Sequence, residues 1–432
     1  MNSARGRRTV IVSGCRTPFA KAGTAFRDLT AVELAKLATR ELLARSEVDP
    51  RVVDQVVFGQ VVPSVLAPNV AREVALLPQF PCTVVAHTVN RACASSIQAI
   101  TEAHDQIALG QADVVVAGGT ESLSDIPILH TRRFSRLLVE AGEERTLARR
   151  LGVLARVRPS DLVPVTPAAA EPSTGLSMGQ SAEKMAKENG ITRDAQDRYA
   201  LRSHQLAARG TSDGRLPAEI VPVFVPPALE TPVASDNGIR PDTDLGQLTS
   251  LRPAFDRRHG TVTAGNASPL TDGAAAVLLM NEETARAQCL RALAVIRSYA
   301  VAAVDPAGQL LMGPAYAVPM ALARAGLSWR DLGLVEMHEA FAAQVLSNVQ
   351  ALESRAWAER HLGRSERIGE VNWEATNVLG GSIAIGHPFG ATGARLTMTL
   401  AYEMRRRGVE FGLVSVCAQG GMGAAMVLEM VP

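Results

Sequence analysis

The chain has 432 residues, which is enough for two or three compact units, each with its own hydrophobic core. Hydrophobic residues make up 47% and charged residues 20% of the sequence, a balance that excludes a disordered chain. The net charge of +1 provides no general attraction for nucleic acid or for an anionic surface. The longest apolar stretches fall far short of the ~20 residues that span a bilayer, so no transmembrane segment is predicted.

Short β-branched runs alternate with amphipathic helical patterns in the first third of the chain. Strands are predicted at residues 9–12, 56–58, 84–85 and 113–117, and helices at 31–44 and 94–109. This alternation is typical of βαβ units and predicts a mostly parallel, buried sheet.

Residues 125–245 break this rhythm and are interpreted as an insertion lying over the first half. Within them, the segment 131–158 contains eight arginines against three glutamates, with several leucines available for an apolar face. The simplest interpretation is a solvated helix pair packed on the domain. The alternative is a basic surface for a partner subunit, for the phosphates of a ligand or for anionic lipid, which would allow peripheral membrane contact.

The final third repeats the pattern of the first, because a predicted helix at 392–407 leads into a predicted strand at 412–416. Both strands end in a glycine pair, Gly118-Gly119 in the first stretch and Gly420-Gly421 in the second. A similarity this weak also arises in any α/β repeat. A duplication would place two halves back to back, with their turns facing one site.

The cysteines are few and odd in number: Cys15, Cys82, Cys93, Cys289 and Cys417. Such a set in a chain of this size indicates a reducing compartment, and with no secretory leader in the sequence it predicts a cytoplasmic protein. No C-x-x-C pair is present, so no metal site is predicted. By default a cysteine is a small buried hydrophobe, and that interpretation is kept for Cys15, Cys82 and Cys289.

Cys93 and His387 are the candidates for chemistry. Cys93 directly precedes a predicted helix, whose N-terminus would stabilise a thiolate and so make this cysteine a nucleophile at neutral pH. His387 lies in a glycine-rich loop that opens the 392–407 helix, and it could take the proton of Cys93 and polarise a carbonyl. Cys417 and His338 are each interpreted as structural when taken alone. Two thiols and an imidazole at one site would suit chemistry that makes and breaks carbon–sulfur and carbon–carbon bonds.

Taken together, these motifs resemble the thiolases along almost the whole chain. The motifs that carry the resemblance are Asn90-Arg91-Ala92-Cys93-Ala94-Ser95, Gly118-Gly119-Thr120-Glu121-Ser122, Met178-Gly179 with Ala182-Glu183, residues 260–266, His338-Glu339-Ala340-Phe341, Gly386-His387-Pro388 and the Cys417 segment. His338 stands where many thiolases carry asparagine. With residues 268–273 and the arginine-rich insertion, it is similar to the 3-ketoacyl-CoA thiolase β-subunits of fatty-acid-oxidation trifunctional complexes.

The resemblance implies an α/β thiolase fold. This fold has two duplicated βαβαβαββ halves, which form a five-layered α-β-α-β-α core with an inserted loop domain. The corresponding division is 1–124 for the first part of the N-terminal half, 125–245 for the loop domain, 246–289 for the end of the N-terminal half and 290–432 for the C-terminal half.

The resemblance also implies roles. Cys93 would attack the keto carbon of a 3-ketoacyl-CoA, His387 would activate it and, with the His338 region, stabilise the thioester oxyanion. Cys417 would protonate the departing acetyl-CoA enolate and then deprotonate CoA. The backbone N–H groups of Cys93 and Gln419 would form a second oxyanion hole, although the family usually has Gly or Ala at position 419, which puts the substrate range in question.

Substrate-binding positions near the acyl–pantetheine arm follow from the same resemblance: Met178, Ser268 and Phe341. The implied activity is CoA-dependent cleavage of 3-ketoacyl-CoA in β-oxidation, with CoA as co-substrate and no bound cofactor. The alternatives are a biosynthetic acetoacetyl-CoA thiolase, a decarboxylating ketosynthase, which does not need the Cys417 thiol, and an inactive lipid-binding or scaffold subunit. Expected partners are a second copy, as homodimer or homotetramer, and a hydratase/dehydrogenase α-subunit.

Overall fold

The computed structural model describes residues 7–165, 170–227 and 229–431. The strands within these ranges are β1 Thr9–Arg16, β2 Ala20–Lys21, β3 Gln55–Gly59, β4 Val85–Val89, β5 Val114–Glu121, β6 Thr271–Asn281, β7 Ala294–Ala303, β8 Leu334–Met337, β9 Phe411–Ala418 and β10 Met422–Met430. The longer helices are α1 Ala31–Ser46, α2 Val70–Ala75, α3 Ser95–Ala108, α4 Arg132–Glu143, α5 Leu147–Leu154, α6 Met178–Glu188, α7 Arg193–Ser212, α8 Arg215–Glu219, α9 Leu245–Ser250, α10 Glu282–Ala287, α11 Gly313–Ala325, α12 Ala342–Glu353, α13 Arg355–Leu362, α14 Ser382–Ile385 and α15 Thr392–Arg407. Among the helices in these ranges, none is both long and apolar enough to cross a lipid bilayer.

The strands join in the order β4-β3-β5-β6-β1-β7-β10-β9-β8, with β2 paired to β6. The first half supplies β1 to β6 and the second supplies β7 to β10, and the two half-sheets meet where β1 pairs with β7 over two residues. The prediction of a mostly parallel sheet was wrong, because only the β3/β4, β3/β5 and β8/β9 pairs in this order are parallel. Strands β6 and β10 return antiparallel beside β5 and β9, which needs no helical crossover.

Helices and half-sheets alternate in five layers. Helices α1 and α2 cover one face of the first half-sheet, and α11 and α12 cover the outer face of the second. Helices α3 and α15 lie in the middle and pack against both half-sheets, with Ile97, Ile100, Met398 and Met404 in one shared core. Since α15 is enclosed on all sides, small and threonine residues dominate its N-terminal half, and Thr397 Oγ1 donates a hydrogen bond to the Gly393 carbonyl.

The middle helices explain why the two halves converge on one place. Each helix begins just after a reactive side chain, Cys93 before α3 and His387 before α15. The N-termini of the two helices touch, because the Ala394 N–H donates to Ser96 Oγ at 2.9 Å. The fold therefore brings two residues that are 294 positions apart in the chain to the same end of the middle layer.

Two predicted features differ from the structure. Gly118-Gly119 lies inside β5, whereas Gly420-Gly421 forms the turn between β9 and β10, so the glycine pairs are not equivalent. The turn that follows β9 corresponds instead to the point after β5 where the insertion begins. The βαβαβαββ pattern that the resemblance implies has a strand before the last helix of each half. In the second half this strand is reduced to a single bridge between Val335 and Thr376.

The insertion does not lie over the first half alone. Helix α6 packs on Leu311 and Phe341, and α7 packs on the α12 side of the second half. The return segment reaches the first half, where Asp236 accepts hydrogen bonds from the buried Arg16 at 2.6 and 2.8 Å. The insertion thus contacts both halves. The apolar faces of α6 and α7 pack on the second half, and the charged return segment forms an ion pair with Arg16 of the first half.

Candidate active site

Cys93 lies in the tight connection between β4 and α3. The residue before it, Ala92, has a left-handed φ of +46°, a conformation that residues other than glycine rarely adopt. Ser95 stabilises the turn, since its hydroxyl donates to the Ala92 carbonyl at 2.6 Å and accepts from the Arg91 N–H at 2.8 Å. The thiol is therefore held at a fixed position and is partly buried.

His387 is hydrogen-bonded at both ring nitrogens. Its Nε2 lies 3.2 Å from Cys93 Sγ, and its Nδ1 lies 2.6 Å from Thr392 Oγ1. The Thr392 hydroxyl donates its own proton to the Pro388 carbonyl, so it accepts from Nδ1–H. This assigns the proton of the neutral imidazole to Nδ1 and leaves Nε2 as the acceptor that faces the thiol.

Glycine in the His387 loop and in β5 allows the backbones of these two segments to approach each other closely. A Cβ at Gly119 would clash with the carbonyl oxygen of Gly390, and a Cβ at Gly390 would clash with the carbonyl oxygen of Thr120. The Glu121 carboxylate, fully buried at the end of β5, accepts a hydrogen bond from the Gly390 N–H at 3.0 Å. The missing side chains of these glycines thus let the loop approach β5 closely, which fixes His387 relative to Cys93.

The electrostatics of the pair differ from the prediction of a preformed thiolate. Burial raises the pKa of Cys93 to about 12, although the N–H groups of Gln419 and of Cys93 itself act in the opposite direction. Burial, followed by the charge of Arg395, lowers the pKa of His387 to about 3. Because burial of the thiol outweighs the effect of the helix N-terminus, the resting pair is a neutral thiol and a neutral imidazole.

His338 stacks at a tilt on His387, with 4.1 Å between ring centroids, and is buried. Its Nδ1 lies 3.0 Å from Ser382 Oγ, which also accepts a hydrogen bond from Arg395 at 3.2 Å. Its Nε2 is buried without a hydrogen-bond partner. Burial, then the neighbouring His387 and Arg395, lowers the pKa of His338 well below its ordinary value, so this ring is also neutral.

Cys417 is the second-last residue of β9 and is buried in an apolar cluster with Leu311, Met312 and Phe341. Burial raises its pKa well above the ordinary value, and the charge of Cys93 acts in the same direction. A negative charge on Cys93 therefore disfavours ionisation of Cys417. A buried, neutral thiol of this kind is suited to donate a proton to a carbanion.

The turn after Cys417 contains Gln419, at the position where the family usually has glycine or alanine. Gly420 and Gly421 have left-handed φ values of +84° and +73°, which turn β9 into β10. The Gln419 N–H acts to lower the pKa of the Cys93 thiol, against the effect of burial. The neighbouring Gly420 N–H donates to the buried Glu171 of the insertion at 3.1 Å. The Gln419 side chain is partly exposed.

The predicted substrate-binding residues lie near one another. Met178, at the start of α6, and Phe341 pack in the same cluster as Cys417. The Ser268 N–H donates to the Ala340 carbonyl at 3.0 Å, directly beside Phe341. Their roles in binding stay a prediction.

Sequence reasoning missed the residues that orient the site: Thr392, Ser382, Glu171 and Arg395. It also missed a pocket of about 160 Å³ beside it, lined by Lys21, His204 and Arg240 together with Pro269 and Ile383. The lining residues described there include no carboxylate, and burial followed by Arg240 lowers the pKa of Lys21. For Thr392, Ser382 and Arg395, the only signal in the sequence is their closeness to the His387 motif. Glu171 and the residues of the basic pocket have no such signal.

Known proteins are similar to this chain along almost its whole length. The chain matches the family model described as "Thiolase, N-terminal domain" over residues 9–283 and that described as "Thiolase, C-terminal domain" over residues 290–430. It is 51% identical over 430 residues to the 3-ketoacyl-CoA thiolase of Aeromonas salmonicida (strain A449), covering 100% of this chain and 98% of that one. It is also 51% identical to the 3-ketoacyl-CoA thiolase of Escherichia coli (strain K12 / MC4100 / BW2952), covering 98% and 97%.

Solved structures give the same result. Human mitochondrial 3-ketoacyl-CoA thiolase in complex with CoA is 33% identical, with a TM-score of 0.83 and 98% of each chain covered. The Bacillus anthracis acetyl-CoA acetyltransferase is 35% identical, with a TM-score of 0.85 over 99% of this chain and 100% of that one. With both family models matched in order and full-length relatives at 51% identity, this chain belongs to the thiolase family.

Proposed function

We propose that this chain is a 3-ketoacyl-CoA thiolase that cleaves 3-ketoacyl-CoA with CoA, giving acetyl-CoA and an acyl-CoA two carbons shorter. The observation that carries the proposal is the surroundings of the Cys93 sulfur. A neutral imidazole nitrogen lies 3.2 Å from this sulfur, two backbone N–H groups act to lower the pKa of the thiol, and the charge of Cys93 raises the pKa of the buried Cys417 thiol. The names and 51% identity of the full-length relatives support the same substrate class.

The first half-reaction follows from these positions. Cys93 Sγ attacks the C3 carbonyl carbon as its proton passes to His387 Nε2. The C2–C3 bond then breaks, leaving the acyl group on Cys93 and an acetyl-CoA enolate, which the Cys417 thiol protonates at C2. The His338 Nε2, when protonated, can donate a hydrogen bond to the enolate or thioester oxygen, because the Ser382 hydroxyl can donate to Nδ1.

The second half-reaction restores every proton. The Cys417 thiolate takes the proton of the CoA thiol, and the resulting CoA thiolate attacks the acyl-cysteine. The carbonyl oxygen of that thioester can accept from the N–H groups of Cys93 and Gln419 as negative charge develops on it. Cys93 then leaves and recovers its proton from His387. No bound cofactor takes part. The CoA thioester stabilises the carbanion at C2, and the thioester on Cys93 activates the acyl carbon towards CoA.

The basic pocket supports CoA as the co-substrate. Lys21, His204 and Arg240 line it, and so do Ile383 and Pro269. Ile383 connects the pocket to the site because it follows Ser382. Pro269 connects it because it lies in the segment that leads to Thr271, whose hydroxyl accepts from the His387 N–H. Lys21 and Arg240 carry the positive charge of the pocket, whereas burial, followed by Arg240 and Lys21, lowers the pKa of His204 to about 4 and leaves its ring neutral. The positive charge of Lys21 and Arg240 fits the phosphates of CoA. The apolar cluster around Met178, Phe341 and Cys417 fits the acyl–pantetheine side.

The decisive experiment measures CoA-dependent loss of a long-chain 3-ketoacyl-CoA and of acetoacetyl-CoA, for wild type, Cys93→Ser and Cys417→Ser. We expect turnover of the long-chain substrate, a loss of about 10³-fold or more in Cys93→Ser and a loss of about 10²- to 10⁴-fold in Cys417→Ser. Cys82→Ser is the matched control, because Cys82 is exposed. Activity on acetoacetyl-CoA alone would favour the biosynthetic thiolase, and no activity on either would favour an inactive scaffold subunit.

We also propose that the chain works in the cytoplasm as a homodimer or homotetramer and assembles with a hydratase/dehydrogenase subunit. The α4–α5 hairpin supports a partner role. It has a core of its own, formed by Leu137, Ala141 and Val153, and leaves large apolar side chains such as Leu147 exposed. Light scattering on the purified chain tests the oligomer, and a monomer would contradict that part of the proposal.

Co-purification with such a subunit tests the hairpin. Arg132 and Arg136 are exposed and suited to charge reversal, whereas Arg133 pairs with Asp161 and donates to the Arg156 carbonyl, so changing it would disturb the fold. We expect Arg132→Glu combined with Arg136→Glu to abolish assembly and the corresponding lysine variants to retain it. Unchanged assembly of the glutamate variant would remove this role from the hairpin.

A further inference from the structure

The catalytic side chains also form a set of metal ligands. Cys93, His338 and His387 each offer one donor atom, and the three donors lie within 4.8 Å of one another. Across residues 7–165, 170–227 and 229–431, this is the one group of three or more His, Cys, Asp or Glu side chains that meets that distance. One thiolate and two imidazoles are ligands that Zn²⁺ prefers, and three protein ligands leave a fourth tetrahedral position open.

The two rings are oriented as they are in metal sites. Thr392 Oγ1 lies 2.6 Å from Nδ1 of His387, and Ser382 Oγ lies 3.0 Å from Nδ1 of His338. In each ring this leaves Nε2 free to coordinate a metal ion. A hydrogen-bond acceptor at Nδ1 keeps the ring proton on that nitrogen and so fixes the metal-binding tautomer. Ser382 can accept from Nδ1–H when its hydroxyl rotates, because its oxygen has two lone pairs.

Two further observations favour a ligand between these atoms. The Nε2 of His338 is buried and has no hydrogen-bond partner, so it retains an unused lone pair or proton in an apolar setting. The distance of 3.2 Å between Cys93 Sγ and His387 Nε2 is close to the ~3.5 Å that separates a sulfur and a nitrogen on one tetrahedral Zn²⁺. A small movement of His338 would complete the set.

We propose that this site binds Zn²⁺ through Cys93 Sγ, His387 Nε2 and His338 Nε2, and that the bound ion inhibits the enzyme. Binding replaces the Cys93 thiol proton, which is released to the buffer, and forms one zinc–sulfur and two zinc–nitrogen bonds. The nucleophile is then blocked and its base is occupied. The fourth position is open to water or to the thiolate of CoA, so free zinc would act as a brake and not as a cofactor.

The test uses the full chain and measures binding directly, so it does not depend on turnover. Titration with Zn²⁺ is followed by calorimetry, and Co²⁺ serves as a spectroscopic probe because a cobalt–thiolate bond gives a charge-transfer band. We expect one ion per chain, release of one proton and a thiolate band with Co²⁺. Cys93→Ser should remove the band, and His338→Asn should weaken binding at least about 10-fold.

Matched controls isolate the three ligands. Cys417→Ser, Cys82→Ser and His204→Asn change the same residue types outside the set and should bind Zn²⁺ as wild type does. Circular dichroism shows which variants are folded, and wild type with Cys93 alkylated provides a second blocked form that needs no mutation. Equal Zn²⁺ affinity in wild type, His338→Asn and the alkylated protein would overturn the proposal, as would a Co²⁺ spectrum without a thiolate band.

Discussion

Cys93 and His387 occupy corresponding places in the two halves of the molecule, each directly before the middle-layer helix of its half, and the Sγ–Nε2 distance between them is 3.2 Å. The thiol and the base thus belong to different halves of one duplicated architecture. Their contact depends on how the N-termini of α3 and α15 meet, which Ser96 and Ala394 fix by a hydrogen bond of 2.9 Å. Changes that alter this meeting point should affect the chemistry without touching the reactive atoms.

Replacing Thr392 by valine should lower kcat by about 5- to 150-fold with little change in KM. The substitution removes the acceptor of His387 Nδ1–H, so the ring loses the contact that fixes its tautomer and leaves a buried donor unpaired. Steady-state kinetics measure the effect, and Thr392→Ser should restore most of it. Thr397→Val is the control, since Thr397 is a buried threonine on the same helix whose hydroxyl bonds only the helix backbone. An equal loss in both variants would contradict a specific role for Thr392.

Replacing Glu171 by alanine should slow formation of the acyl-enzyme by about 10-fold or more. Its carboxylate accepts from the Gly420 N–H at 3.1 Å and so positions the neighbouring Gln419 N–H against Cys93. Single-turnover acylation measures this step. Glu171→Gln keeps an acceptor oxygen and should retain most of the rate, and Glu143→Ala, an exposed glutamate of the same insertion, should have no effect. A normal acylation rate in Glu171→Ala would show that the turn holds its geometry unaided.

Thiolysis should show no one-proton loss of kcat/KM centred near pH 6.5. The base must be neutral, and burial followed by Arg395 lowers the pKa of His387 to about 3, so the free enzyme keeps its base across pH 5 to 7. The unfolded chain protonates this histidine near pH ~6.5 and the folded chain only near 3, so its contribution to the free energy of unfolding is lost as pH falls through that window. Circular dichroism at each pH separates unfolding from titration. An acidic limb near 6.5 in the folded enzyme would contradict the neutral resting pair.

Replacing Gly119 by alanine should lower both stability and activity. The new Cβ would meet the carbonyl oxygen of Gly390, so either β5 or the His387 loop must move, and overpacking of this kind typically costs about 1–3 kcal/mol. Thermal unfolding and kcat report the two effects. Gly142→Ala in α4 is the control, since nothing lies within 4 Å of its added methyl group, and it should be neutral or slightly stabilising. A Gly119→Ala variant with wild-type melting temperature and kcat would show that the contact is adaptable.

Much of the fold could be predicted because its signals are local. The helix predicted at 392–407 is α15, and the strands predicted at 56–58 and 412–416 lie within β3 and β9, whereas the strand predicted at 113–117 overlaps the first half of β5. Strand direction could not be predicted in the same way, since β6 and β10 read as apolar runs whether they pair parallel or antiparallel. The packing of α6 and α7 on the second half was also missed, because an apolar helix face does not specify which surface covers it.

The sequence by itself determined the candidates for reactive groups. Cys93 and His387 stood out from their local patterns, and the resemblance to thiolases added Cys417 and His338, because each stands in a short motif that is visible without coordinates. The tertiary structure alone decided their protonation and their partners. Burial raises the pKa of Cys93 to about 12 against the pull of the helix N-terminus, and contacts between distant segments supply Thr392, Ser382 and Glu171 as orienting groups. Desolvation and long-range hydrogen bonds depend on the enclosure of a site by the whole chain, which no local pattern records.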